Sequence, residues 1–363
     1  MDKKKKRNLI IAGIVLAVIL VGVINREVIR VVWHSVLSPS VKMDESENWA
    51  GGKSYEKLPY SDVSENTYLN LYVPDSDEPM PLFVLVHGGG FVFNDCESRQ
   101  AQFMYRYFRD HGYACASVNY RLAQEAPYPA AVDDVKAAIR FLKANAEQYG
   151  YNPKQVAVWG ESAGGYLAVM AGVTKDEDYH GVSFIGEENL TEPVTADVQA
   201  VVDFYGATAM EKKEEAYHEL GIPKFVQWAS GLWLDKALKG TGYDDVHAYW
   251  LRKDLSECSE EELLEFSPYT YIDKNLNAES DFHMLIWHGD ADLDVPYTLS
   301  EELHQKLGEV IGEDKVEFKL FHNYKHAADK FYTDENLAEV KAYLDSLFLN
   351  ENPNPPAMLG RME

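Results

Sequence analysis

The chain has 363 residues, of which 46% are hydrophobic and 26% charged, as expected for one large globular domain or two small ones. Its formal net charge is −25. The first 30 residues hold seven basic and only two acidic side chains, so the rest of the chain is more acidic still. A body this acidic repels phosphate backbones, which argues against a nucleic-acid partner. Three cysteines allow one disulfide at most, and they lack the spacing of a metal site.

Residues 1–30 have the pattern of a membrane anchor. Five consecutive basic residues, Lys3 to Arg7, precede an uninterrupted apolar run at 9–24. As a helix this run would be ~24 Å long, and basic side chains at its ends can make up the difference from a ~30 Å hydrocarbon core. We predict an uncleaved transmembrane helix with the body of the protein outside the cell. The alternative is a cleaved signal peptide and a secreted protein. In both cases the chain is exported.

Predicted strands and helices alternate over residues 55–350, after a linker at 31–54 whose second half is polar. The predicted strands are 67–73, 82–86, 114–118, 156–159, 198–205, 283–287 and 316–320, and the predicted helices are 130–149, 166–173, 299–307 and 335–349. This alternation predicts a mostly parallel sheet with helices on both faces and a site at the carboxyl ends of the strands. Residues 207–266 break the alternation, being helical in pattern, acidic and rich in Trp and Tyr. The Pro-rich tail at 351–363 is predicted to be disordered.

The segment Gly160-Glu161-Ser162-Ala163-Gly164 lies between an apolar strand and a helix-compatible run. Gly-x-Ser-x-Gly in this context predicts a nucleophile elbow, a tight turn that presents the serine hydroxyl above the sheet. The following helix directs its unpaired N–H groups at the same point. Three fixed residues recur by chance, and a glycine-rich turn with an incidental serine is the alternative. The prediction therefore depends on whether the rest of a serine hydrolase is present.

A second glycine-rich segment, His87 to Phe91, directly follows the strand at 82–86. We predict that the N–H groups of Gly89 and Gly90, with that of Ala163, form an oxyanion hole. A phosphate-binding loop or a plain turn is the alternative, but no Lys and Ser/Thr follow in P-loop register. We expect His87 to hold this loop by hydrogen bonds rather than to act as a base.

The remaining catalytic candidates follow the last two predicted strands. Three aspartates come after the strand at 283–287, and we choose the central one, Asp292, as the carboxylate that orients a histidine. Asp290 is the second choice, and Asp294 is predicted to be an acidic surface residue. After the final strand we favour His326 over His322 as the base, because the base needs a loop long enough to reach the serine.

The order Ser162, Asp292, His326 is that of the α/β-hydrolases. From residue 55 to 349 the chain resembles an α/β-hydrolase of the carboxylesterase group. It is most similar to bacterial feruloyl and acyl esterases, which adjoin the hormone-sensitive-lipase-like branch. The shared motifs are His-Gly-Gly-Gly-Phe, Asn-Tyr-Arg-Leu at 119–122, Pro-Ala-x-x-Asp-Asp-Val at 129–135, Gly-x-Ser-Ala-Gly-Gly, Ser-Pro at 267–268, His-Gly-Asp-x-Asp-x-x-Val-Pro at 288–296 and a histidine at 326. The chain departs from the family at Tyr324-Lys325, where Ala-Gly is usual, and in the 207–266 insertion, which the resemblance places as a helical cap over the site.

The sequence thus predicts a serine carboxylesterase that works through an acyl-enzyme on Ser162, with Asp292 and His326 completing a triad and no metal or organic cofactor. Because the base must be neutral, we expect activity to fall as the pH drops through ~6–7. The expected substrate is a small-molecule or carbohydrate-linked ester. Two alternatives remain open: an exported serine peptidase of the prolyl-oligopeptidase type, and a non-catalytic surface binding protein on a hydrolase scaffold.

Overall fold

The computed structural model describes residues 49–224, 226–227 and 238–349. The strands are β1 (Gly52–Pro59), β2 (Tyr68–Pro74), β3 (Met80–Val86), β4 (Ala114–Val118), β5 (Tyr151–Glu161), β6 (Ala200–Phe204), β7 (His283–Gly289) and β8 (Val316–Phe321). The α-helices of these ranges are α1 (Arg99–Asp110), α2 (Ala130–Ala144), α3 (Ala146–Tyr149), α4 (Ala163–Val173), α5 (Lys213–Glu219), α6 (Val246–Leu251), α7 (Glu260–Phe266), α8 (Pro268–Asn275), α9 (Thr298–Ile311) and α10 (Asp334–Phe348).

The eight strands form one sheet in the order β1-β2-β4-β3-β5-β6-β7-β8. The pairs β1–β2 and β2–β4 are antiparallel, and every other neighbouring pair is parallel. The mostly parallel sheet expected from the sequence is therefore confirmed. Since β3, β5, β6, β7 and β8 run in the same direction, the loops that follow them meet at one edge of the sheet.

Side chains of the central strands alternate between two hydrophobic cores, one on each face of the sheet. In β3, Leu82 and Val84 belong to one core, whereas Phe83 and Leu85 belong to the other. The first core is completed by apolar side chains of α2, α4, α8 and α9, and the second by those of α1 and α10. A strand buried on both faces must be apolar throughout, which is why these strands appear in the sequence as continuous hydrophobic runs.

Three features of the fold differ from the sequence prediction. Strand β1 begins at Gly52, inside the segment predicted to be a linker, and α1 was not predicted. The predicted helix at 130–149 is two helices, α2 and α3, separated at Asn145. β1 escaped prediction because most of its side chains are exposed and so carry no apolar pattern.

The 207–266 segment contributes α5, α6 and α7 within the described residues. Helix α6 is fixed to the rest of the domain by Trp250, whose ring stacks on that of Phe91 at 3.9 Å with an interplanar angle of 1°. The backbone carbonyl of Trp250 also accepts the N–H of Tyr128 at 3.0 Å. One part of this segment is therefore packed directly against the loop that follows β3.

The predicted anchor at 1–30, the linker up to residue 48 and the tail at 351–363 lie outside the described residues. Among the helices of the described ranges, none has the length and the apolar character that crossing a bilayer requires.

Candidate active site

The turn between β5 and α4 holds Ser162 in a conformation that non-glycine residues rarely adopt, with φ 55° and ψ −120°. The flanking glycines are required sterically. A Cβ atom on Gly160 would lie 2.0 Å from the carbonyl oxygen of Gly164, and one on Gly164 would lie 2.2 Å from that of Val86. The Ser162 N–H donates to the Phe204 carbonyl at 3.0 Å. The turn thus has the geometry that the sequence predicts for a nucleophile elbow.

The His326 ring lies within hydrogen-bonding distance of both Ser162 and Asp292. The Ser162 Oγ is 2.8 Å from Nε2 of His326, and Nδ1 of the same ring is 2.6 Å from Oδ2 of Asp292. The three residues follow β5, β8 and β7, so the parallel sheet brings together side chains separated by up to 164 positions. The structure therefore places all three predicted side chains in one hydrogen-bonded series.

The electrostatics of the series differ from those of an isolated histidine. Burial lowers the pKa of His326, but the charge and hydrogen bond of Asp292 outweigh burial and raise that pKa to about 9. Burial raises the pKa of Asp292, yet His326 and then His288 more than reverse this effect and bring it well below its usual range. The sequence-based expectation of a transition near pH 6–7 assumed an ordinary imidazole, and the buried carboxylate moves it upward.

The competing aspartates and histidine have other positions. Asp290 accepts from the backbone N–H of Asn323 at 2.6 Å and lies 2.7 Å from Nδ1 of His322, whose side chain is 69% exposed. This second pair stabilises the loop after β8 away from Ser162. Asp294 was predicted to be a surface residue, but it is half-buried and lines the cavity that contains Ser162. Its position in the turn that begins at Asp292 directs it inward.

The glycine-rich loop after β3 lies beside Ser162. Gly90 and Ala163 line the same cavity as Ser162, whereas Gly89 is not among the lining residues. Gly89 has φ 119°, and a Cβ there would lie 2.2 Å from the carbonyl oxygen of Phe93, so the loop tolerates only glycine at this position. Ala163 is the first residue of α4, where N–H groups have no intrahelical acceptor.

His87 is fully buried and supports the base of this loop. Its ring stacks on Tyr120 at 4.3 Å, and its Nδ1 lies 2.8 Å from the Gly88 carbonyl oxygen. Burial lowers the pKa of His87 to about 4, so the ring is neutral at physiological pH. Its hydrogen bond and its ring stack agree with the expected supporting position.

Sequence reasoning assigned no role to two buried residues next to the series. Glu161 accepts the N–H of Gly88 at 2.9 Å, which connects the residue before the nucleophile to the glycine-rich loop. Tyr205 packs its ring edge-on against His326, with ring centroids 4.9 Å apart, and adopts φ 44°. The Glu161 side chain could have been noted from its place in the motif. The Tyr205 contact depends on a backbone conformation that the sequence does not indicate.

A third such residue is His288, at the carboxyl end of β7. Its Nε2 lies 3.2 Å from Oδ2 of Asp292, and both side chains are buried. The other carboxylate oxygen accepts the N–H groups of Asp294 and Val295 at 2.8 and 2.9 Å. The carboxylate is therefore held from four directions.

The cavity above Ser162 has a volume of about 70 Å³ and combines apolar and polar walls. Part of its lining comes from the 207–266 segment, and the residues contributed by that segment are Ala207, Met210, Lys213, Gln227, Val246 and His247. The described part of the chain contains no cluster of three or more His, Cys, Asp or Glu side chains able to hold a metal ion. The arrangement presents a hydroxyl with a base beside it to a small ligand in this cavity.

Comparison with protein families gives a match between residues 69–307 and the BD-FAE family, which covers more than half of the chain. The chain belongs to the BD-FAE family. The α/β-hydrolase carboxylesterase resemblance inferred from the sequence motifs is thereby confirmed.

Curated relatives of this BD-FAE member include two proteins of Mycobacterium tuberculosis. The probable carboxylic ester hydrolase LipM is 27% identical over 169 residues, which are 46% of this chain and 37% of LipM. The carboxylesterase NlhH is 36% identical over 121 residues, 32% of this chain and 35% of NlhH. The matched region spans about a third of the length of each relative.

Among solved structures, a truncated carbohydrate esterase from gut microbiota superimposes with a TM-score of 0.63. The two are 23% identical, and the match covers 81% of this chain and 96% of that one. At this level of identity the likeness establishes the fold, which agrees with the sheet order and the strand-end loops described above.

Proposed function

We propose that this protein is a serine carboxylesterase. The observation that carries the proposal is the unbroken series from the Ser162 hydroxyl through His326 to the Asp292 carboxylate, with distances of 2.8 and 2.6 Å. A base within hydrogen-bond reach of the nucleophile, itself oriented by a third group, is the arrangement that activates a serine. The curated relatives named as ester hydrolases support the same reaction class.

In the acylation step, neutral His326 accepts the Ser162 proton at Nε2 as Oγ attacks the ester carbonyl carbon. The carbonyl oxygen becomes an oxyanion, and the proposed donors that stabilise it are the N–H groups of Gly90 and Ala163, two residues of the cavity wall, together with that of Gly89. The intermediate then collapses. The C–O bond to the alcohol breaks, the alcohol leaves with the proton from His326, and the acyl group stays on Oγ.

In the deacylation step, His326 accepts a proton from water as the water oxygen attacks the acyl carbon. The second tetrahedral intermediate releases Ser162 Oγ, which takes the proton back, and the free carboxylic acid leaves. Asp292 stays ionised throughout, because its pKa lies well below the usual range, and it stabilises the imidazolium that forms in each step.

We extend the proposal to esters of polar, hydroxyl-rich or aryl-bearing compounds, with carbohydrate-linked esters as the first class to test. The 207–266 segment contributes three polar side chains to the wall of the cavity that contains Ser162, those of Lys213, Gln227 and His247. Such groups can hydrogen-bond to sugar hydroxyls, which an apolar cavity for a long acyl chain would not do. The carbohydrate esterase from gut microbiota supports this substrate class by its name and its fold.

The test is hydrolysis of p-nitrophenyl acetate, acetylated xylan and a feruloyl ester by the full-length protein and by Ser162→Ala. We expect the substitution to lower turnover by ~10⁴–10⁶-fold. Ser346→Ala is the matched control, because this buried hydroxyl donates only to the Tyr343 carbonyl of its own helix, at 2.6 Å. Unchanged hydrolysis by Ser162→Ala would refute the assignment.

Two further measurements separate the alternative functions. A panel of aminoacyl-proline amides against short acyl esters distinguishes a peptidase from an esterase. Labelling by a fluorophosphonate probe, with loss of labelling in Ser162→Ala, distinguishes an active serine from a binding protein on the same scaffold.

For location, we propose that the chain is held in the membrane by residues 1–30 with the catalytic domain outside the cell. The basic cluster followed by the apolar run supports this orientation. Digestion of intact cells by an added protease is expected to remove the esterase domain. Protection of the domain in intact cells would contradict the proposal, and release of the domain into the medium would favour a cleaved signal peptide.

A further inference from the structure

The carboxylate of Asp292 lies between two histidines. Its Oδ2 is 2.6 Å from Nδ1 of His326 and 3.2 Å from Nε2 of His288. Each ring has a serine hydroxyl at its other nitrogen. Nε2 of His326 is 2.8 Å from Ser162, and Nδ1 of His288 is 2.8 Å from Ser300. The series therefore runs Ser–His–Asp–His–Ser, with Asp292 at its centre.

The partners of His288 determine where its proton lies. Nε2 is 3.0 Å from the Val295 carbonyl oxygen and 3.2 Å from the Asp292 carboxylate, and neither group can donate a hydrogen bond. Nε2 must therefore carry the hydrogen. In the neutral ring, Nδ1 accepts from the Ser300 hydroxyl. His288 and Ser300 are both fully buried, so water does not compete for these bonds.

Oδ2 is the oxygen of the Asp292 carboxylate that both histidines approach. The N–H groups of Asp294 and Val295 bind Oδ1, which fixes the rotation of the carboxylate. Nδ1 of His326 bonds Oδ2 at 2.6 Å, and the hydrogen on Nε2 of His288 is shared between Oδ2 at 3.2 Å and the Val295 carbonyl oxygen at 3.0 Å. A carboxylate oxygen that accepts two hydrogen bonds offers less negative charge to each donor.

We propose that His288 is a positioning residue for the ester hydrolysis proposed above, on which this inference rests: it holds Asp292 and limits the negative charge that reaches His326. Without the His288 donor, Oδ2 would bind His326 alone and stabilise the imidazolium more strongly. The base would then stay protonated to a higher pH, and the acid limb of kcat/KM would move upward.

Other titratable and polar groups also face the two histidine rings. The groups that face His326 are Asp292, Asp294, Glu161, Tyr205 and Ser162, and those that face His288 are Asp292, Ser300, Glu301 and Tyr205. None of them is altered by substitution of His288 itself. A change in the acid limb would therefore report on the bond between His288 and Asp292.

The experiment compares three substitutions at residue 288 in the full-length protein, using p-nitrophenyl acetate. His288→Phe and His288→Met remove the donor while keeping an apolar side chain of similar reach, and methionine adapts to irregular space. His288→Gln places an amide nitrogen where Nε2 lies. Ser300→Ala is the control, because it changes the same buried region without touching Asp292.

We expect the acid limb of kcat/KM to move up by roughly half to one pH unit in the two donor-free variants. His288→Gln and Ser300→Ala should keep the wild-type limb. A limb that stays in place in folded His288→Phe or His288→Met would overturn the proposal, as would an equal shift in His288→Gln. Absence of any ester hydrolysis by the wild-type protein would instead refute the proposed function.

Nitrogen-15 NMR of the histidines in the wild-type protein tests the same point without a variant and without turnover. We expect a hydrogen on Nε2 of His288, and we expect the resonance of this nitrogen to respond when His326 changes charge. A hydrogen on Nδ1 of His288 with none on Nε2 would rule out donation to Asp292 and would overturn the proposal. This measurement decides the point even if every substituted protein fails to fold.

Discussion

The buried carboxylate of Glu161 accepts the backbone N–H of Gly88 at 2.9 Å. Because Glu161 directly precedes Ser162, this one bond joins the nucleophile turn to the loop that carries the proposed oxyanion donors. The bond requires glycine at position 88, because a Cβ there would lie only 2.5 Å from Oε1 of Glu161. A side chain of the Ser162 motif thus positions the proposed nucleophile and the proposed oxyanion donors relative to each other.

Removal of this carboxylate should impair the oxyanion loop. We expect Glu161→Ala to lower kcat by about 10- to 100-fold, less than complete loss of an oxyanion donor, because the loop loses a support but keeps its N–H groups. Glu161→Gln retains an acceptor for Gly88 and is the matched control. Steady-state kinetics with a short acyl ester check the prediction, and equal kcat values for wild type and Glu161→Ala would contradict it.

The pH dependence of the proposed reaction should reflect the environment of His326. The base must be neutral, and its pKa is raised to about 9, so kcat/KM should rise with pH into the alkaline range. Asp292→Asn removes the charge that raises this pKa. The acid limb should therefore move to lower pH while kcat falls by up to ~10⁴-fold. Profiles of kcat/KM for both proteins test this, and an upward movement of the limb in the variant would be inconsistent with it.

The glycine at position 160 is expected to be essential for stability. Gly160→Ala would bring a Cβ to 2.0 Å from a backbone carbonyl, so the turn or α4 must shift, at a cost of more than ~2 kcal/mol. Gly308→Ala is the control: the residue lies in α9, its Cβ would make an ordinary 3.4 Å contact with the Glu313 side chain beyond the helix end, and alanine there should add ~0.5–1 kcal/mol. Urea unfolding midpoints measure both, and the prediction fails if the two substitutions change the midpoint in the same direction.

The stack of Trp250 on Phe91 should make α6 part of the cooperative fold. Trp250 is 1% exposed, and truncation of a large buried aromatic side chain typically costs ~3–5 kcal/mol. We expect Trp250→Ala to lose stability in this range, whereas Trp250→Phe keeps an aromatic face against Phe91 and should lose much less. Denaturant unfolding monitored by far-UV circular dichroism decides between them. Similar stability of Trp250→Ala and wild type would mean that α6 contributes little to the folded state.

The sequence predicted the parallel part of the sheet well because those strands are buried on both faces. β4 at Ala114–Val118 matches the predicted bounds, and the other parallel strands differ by a few residues at their ends. In β1 only the residues Gly52, Tyr55 and Leu58 are even partly buried, so periodicity could not reveal it. Helix α1 did offer a signal: Ser98 caps it by accepting the N–H of Ala101, and its buried residues have helical spacing.

The hydrogen-bonded series was predictable for a different reason. Ser162, Asp292 and His326 each follow a strand, and chain order together with the parallel sheet places such residues at one edge. Contacts that depend on three-dimensional placement were not predictable, among them the approach of His288 to Oδ2 and the inward position of Asp294. Alternation of strands and helices fixes which edge a residue occupies but not which neighbour its side chain meets.

The position of β8 at one margin of the sheet has a consequence for biosynthesis. The proposed base, His326, follows this last strand and lies 164 positions after Ser162. The ribosome therefore makes the two residues at different times, and they can meet only after β8 has paired with the sheet. A nascent chain that ends before residue 316 would carry a serine in its strained turn with nothing to take its proton. Incomplete chains would therefore be inert toward the esters around them, and reactivity would begin only when the final strand has joined its neighbour.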